Sequence, residues 1–72
     1  RYLPVVSADG RYLALVPVSA TEGEVPLIVR FGEKVTGAEL PPGISAISFE
    51  AGDGLILVGM SDGAYGVSKL PF

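Results

Sequence analysis

Apolar residues in this chain come in short runs, and Gly or Pro interrupts every window of about ten residues. No stretch carries apolar side chains at i, i+3, i+4 and i+7 between capping residues, so the pattern predicts no helix. Strand patterns recur instead, each bounded by turn residues. Residues 3–6 (LPVV) read as an edge strand, with Pro4 leaving one side without a donor. Residues 7–10 (SADG) form a turn into residues 11–18 (RYLALVPV). That strand is apolar on both faces apart from Arg11, the pattern of a central strand sandwiched between layers or chains. Residues 19–24 (SATEGE) are a polar loop, expected to be the most exposed stretch of the chain.

Residues 26–31 (PLIVRF) alternate, with Leu27, Val29 and Phe31 on one face and Ile28 and Arg30 on the other. Gly32-Glu33 then predicts a hairpin turn into a short strand at 34–36. Pro41 and Pro42 push the residues before them out of the helical region, so the chain runs extended and turns at Gly43. Residues 44–49 (ISAISF) are a strand with Ser45, Ile47 and Phe49 on one face. Residues 50–54 (EAGDG) turn into a strand at 55–60, and Asp62-Gly63 makes a tight hairpin into residues 64–70. The expected fold class is all-β, a single module of six or seven short antiparallel strands.

A repeat underlies this series. Residues 7–16 and 51–60 share a pattern at a spacing of 44, with Asp9 matching Asp53, Gly10 matching Gly54 and Leu13 matching Leu57. A turn with Asp-Gly followed by a largely apolar strand is what recurs, and four-stranded propeller blades repeat at about 40–45 residues. Residues 44–63 (ISAISFEAGDGLILVGMSDG) resemble a β-propeller blade of the WD-repeat or YVTN type. In that pattern a small apolar strand ending in Phe leads through Asp-Gly into an apolar strand, then Ser-Asp-Gly and a third strand, here residues 64–70. The resemblance spans about 1.6 blades, with possible units at 3–43 and 44–72, and departs from the family in having no Trp-Asp after Val67 and no Gly-His before the blade. A closed propeller needs about four to eight blades. The resemblance therefore implies a propeller fragment or one subunit of an assembled ring, beside the other all-β possibilities of a small barrel or sandwich.

Composition narrows the chemistry. A 72-residue chain buries only about 60–65% of its unfolded surface and needs a further source of stability. Cys is absent, which removes disulfides and thiolate metal sites. His is absent too, which removes imidazole ligands and the commonest general base. Association with another chain is the aid that remains. Five basic against eight acidic residues give a net charge of −3 with no basic run, which argues against nucleic acid and anionic membrane surfaces. The longest strictly apolar run, residues 55–58, is far short of a membrane span. The chain begins Arg-Tyr-Leu-Pro without an initiator Met, and reads as processed or cut from a longer precursor.

Each candidate for chemistry has a plainer explanation. Asp9, Asp53 and Asp62 all precede Gly and read as turn formers; an aspartic-protease half would place Ser or Thr between them. Glu50 and Asp53 lack the alternating oxygens of a calcium loop. The six Ser and two Thr have no His to activate them, and adjacent Ser68 and Lys69 point to opposite faces of a strand. No phosphate-binding glycine fingerprint opens a helix. Phe31 and Phe49 are expected in the core, whereas Tyr65 and Phe72 are the expected exposed contacts; Arg11 and Arg30 mark either a solvated face or an interface ion pair.

The expectation is a non-enzymatic structural or interaction module, without cofactor or metal, that works by association with other protein chains, as a homo-oligomer or in a larger assembly. The residues expected to carry the association are Leu15, Ile56, Tyr65, Phe72 and Arg30, with unpaired edges near 3–6 and 70–72 as additional pairing sites. Two alternatives accompany it. One is a ligand-binding fragment of an envelope or secreted propeller-like protein, its site lined by loop 19–24 and the turn at 41–43; the other is a small virion or coat accessory subunit.

Overall fold

The computed structural model of the chain describes residues 1–18, 24–50 and 54–72. These residues form seven strands: β1 (Tyr2–Val6), β2 (Tyr12–Pro17), β3 (Leu27–Arg30), β4 (Thr36–Glu39), β5 (Ile44–Phe49), β6 (Leu55–Met60) and β7 (Tyr65–Lys69). They make two antiparallel meanders, a four-stranded sheet in the order β1-β2-β3-β4 and a three-stranded sheet in the order β5-β6-β7. The all-β expectation holds, and both strands apolar on two faces, β2 and β6, are interior strands of their sheets. β1, with its proline, is an edge.

Turn chemistry sets the hairpins. Asp9 Oδ1 accepts hydrogen bonds from the Ser7 hydroxyl at 2.7 Å and the Arg11 N–H at 3.0 Å, and Gly10 takes the left-handed conformation at φ 73°. At the β6–β7 turn Asp62 Oδ1 accepts from Ala64 N–H at 2.9 Å, and Gly63 has φ 93°. Both turns are the Asp-Gly devices that the sequence suggested. Asp53 lies outside the described residues, but Gly54 after it is again left-handed, at φ 64°.

The sheets face each other across one core. Ala14, Val16 and Ile28 from the first sheet meet Ile44, Ile47 and Ile56 from the second, with Leu40 completing the cluster. β1 and β2 pack on β5. At one end of this core Tyr12 stacks between Phe49 and Phe72, at 6.1 and 6.2 Å between ring centroids.

Three local expectations are corrected. β4 begins at Thr36, not at residue 34, because Arg30 pairs with Thr36 and Leu27 with Glu39. The connection is therefore the five residues 31–35, and pairing with β3 draws Gly37 and Ala38 into a strand despite their poor propensity. In β5 a bulge between Ile44 and Ala46 shifts the register. Ile44 and Ile47 thereby both reach the core, and Ser45 is exposed, with its hydroxyl donating to Gly59 O at 3.2 Å. Phe31 is 45% exposed and not in the core. The face of β3 that turns inward carries Ile28 and Arg30, and Phe31 lies just beyond the strand's end.

Candidate functional site

Register assigns every strand residue to a face, because residues paired across an antiparallel ladder point the same way and neighbours along a strand alternate. In the first sheet Ala14 pairs with Val5 and Ile28, and this row faces the core. The opposite face then carries Val6, Leu13, Leu15, Leu27 and Val29, with Tyr2 and Pro4 beside them. In the second sheet Ile56 pairs with Phe49 and Ser68 on the inner face. Its outer face carries Ala46, Leu55, Leu57, Tyr65 and Val67, with Ser48 and Lys69. A two-layer sandwich ordinarily alternates apolar inside with polar outside. Here both outer faces are apolar over their central strands.

The residues singled out in the sequence fall in different places. Leu15 lies on the outer face of the first sheet and is half-buried among its neighbours. Ile56 is fully buried between the sheets, and the β6 residue that meets solvent on the outer face is Leu57, 40% exposed. Tyr65 is 89% exposed on that same outer face. Its ring lies over Gly59, where an added Cβ would come within 3.7 Å of it and 3.4 Å of Ala46 Cβ. Phe72 and Arg30 are together elsewhere, with the Arg30 guanidinium carbon 5.0 Å from the centre of the Phe72 ring. The structure thus gathers Leu57 and Tyr65 on one surface and Arg30 and Phe72 on another.

The two sheets are related in an informative way. Ser7 N–H donates to Tyr12 O in the first hairpin and Glu50 N–H to Leu55 O in the second, so each residue of the first pair corresponds to one 43 positions later. The ladders agree, since Val6–Leu13 corresponds to Phe49–Ile56. Spacing by the Asp-Gly pairs is 44, one residue more, and one residue reverses the face. By hydrogen bonding, Ala14 on the inner face of the first sheet corresponds to Leu57 on the outer face of the second. The sheets therefore stack head to tail: the kind of face that the first sheet buries is the kind that the second leaves open.

Two clefts bear on a binding role. Pro17, Val18, Glu24 and Pro26 line one with Gly43, Ile44, Ser45 and Ser61, which brings an end of the 19–24 loop against the turn at 43; residues 19–23 lie outside the described residues. A second cleft, of about 560 Å³, is lined by Arg11, Tyr12, Arg30, Phe31, Gly32, Glu33, Lys34 and Thr36. Among the described residues no group of three His, Cys, Asp or Glu could hold a metal ion, and no helix is long and apolar enough to cross a membrane. Comparison with family models, with curated proteins and with solved structures finds no match to the chain.

Proposed function

We infer that this chain is a non-catalytic association module, and that its partner is a second copy of itself, stacked sheet on sheet in the head-to-tail sense already present within the chain. The observation that carries this reading is the pair of apolar outer faces, one around Leu13, Leu15 and Val29 and the other around Leu57 and Val67. Burial of apolar surface stabilises by roughly 25 cal/mol per Å², and a chain without Cys or His, and so without disulfides or thiolate or imidazole metal ligands, has that source open to it. The first outer face corresponds to the inner face of the second sheet, so the contact inside the chain is a template for the contact between chains. Two successive antiparallel meanders stacked this way are also what a propeller-blade relationship would need, and that resemblance belongs to the same proposal.

Solution mass by light scattering over about a hundredfold range of concentration tests it. Head-to-tail stacking predicts species larger than one chain that grow or close into a ring as concentration rises. A stable monomer at every concentration would overturn the reading.

A further inference from the structure

The second cleft carries a separate inference. At the end of the first sheet, Tyr12, Arg30 and Thr36 form one register row on the inner face. The second sheet reaches this row through Phe49, and Phe72, beyond the end of β7, stacks on Tyr12 as well. Beyond it the β3–β4 connection supplies Phe31 and Lys34, and Arg11 closes the near side.

Three of the chain's five cations therefore line one cleft, in a molecule whose net charge is −3. Glu33 is the single carboxylate among the lining residues. Among the described residues none of the three cations has an ion pair. The Arg30 guanidinium carbon is 5.0 Å from the centre of the Phe72 ring, a cation–π contact that keeps the charge beside the cleft, and a guanidinium is suited to bidentate hydrogen bonding of a planar anion. Tyr12 and the exposed Phe31 add aromatic surface beside those donors.

We propose that this cleft binds a small organic anion, a carboxylate or phosphate monoester carried on a planar ring. The guanidinium of Arg30, the ammonium of Lys34 and the guanidinium of Arg11 hold the anionic group, and the ring packs on Phe31.

The test is titration of the 15N-labelled chain with phenyl phosphate, followed by amide shifts, with inorganic phosphate and neutral benzyl alcohol as comparison probes. The expected result is saturable shifts centred on residues 30–36 and Arg11, with phenyl phosphate binding more tightly than either comparison probe and more weakly as salt is added. Lys34→Gln, at an exposed loop position, should weaken phenyl phosphate about tenfold, as should Arg30→Gln. Lys69→Gln, away from the cleft, should leave it unchanged. Absence of saturable shifts, equal affinity for phosphate and phenyl phosphate, or equal weakening by Lys69→Gln would each overturn the proposal.

Discussion

Asp9 shows how much of a hairpin one side chain can organise. Its carboxylate accepts from Arg11 N–H and from the Ser7 hydroxyl, and Ser7 Oγ in turn accepts from Tyr12 N–H at 3.0 Å. The Arg11 backbone N–H, then the Ser7 hydroxyl, hold the Asp9 carboxyl below its ordinary value of 3.8. A carboxylate depressed in the folded state adds stability that is complete above that ordinary value and is lost as pH falls through the folded one. Asp9→Asn should therefore lower the Tm at neutral pH, and the gap from the parent chain should close in acid below the carboxylate range; thermal melts at both extremes check this. At Gly10 the backbone alone matters, because no atom lies within 4 Å of an added Cβ. Gly10→Ala should cost about 1–2 kcal/mol, measured by denaturant unfolding. Both roles were legible in the sequence, since Ser-Ala-Asp-Gly between apolar runs names the turn and the residues that make it. Phe31 was not. Alternation placed it with Leu27 and Val29, but nothing in that alternation says which face of β3 turns inward.

The same ambiguity governs β6. Ile56 and Leu57 are adjacent and both apolar, and only the pairing with β5 and β7 reveals that Ile56 faces the core and Leu57 the outside. Ile56→Ala should cost about 2–5 kcal/mol, the usual loss on truncating a buried Ile. Leu57→Ser should change the monomer's stability by no more than about 0.5–1 kcal/mol while weakening association. Unfolding of both variants at a concentration too low for association separates the two effects. The strands themselves were legible from apolar runs and Gly or Pro punctuation. The bulge at Ser45 was not, because its cause is the pairing partner: Met60 opposes Ile44 and Gly59 opposes Ala46. Nor was β4, whose Gly37 and Ala38 have little strand preference and are held by β3.

At the scale of the molecule, the hairpins correspond at a spacing of 43, and of corresponding residues such as Ala14 and Leu57 one faces the core and the other the outside, so the sheets bury non-equivalent faces. Asp-Gly dipeptides suggested 44 because they mark turns, and turns tolerate a residue of slack that ladders do not. This one-residue difference separates a sandwich in which equivalent faces meet and the two outer faces are alike from one, as here, whose two outer faces are of different kinds. Leu15, picked out from the sequence, lies on one of those outer faces, and Leu57 lies on the other.

Two variants and their mixture address this most directly. Leu15→Arg blocks the outer face of the first sheet, and Leu57→Arg blocks the outer face of the second. Circular dichroism should show both folded, because each side chain points away from the core. A head-to-tail contact needs one face of each kind, so light scattering should find each variant monomeric alone. Mixed in equal amounts, the two should form a discrete heterodimer, since each supplies the face that the other lacks. Self-association of either variant alone, or a mixture that stays monomeric, would contradict the head-to-tail account.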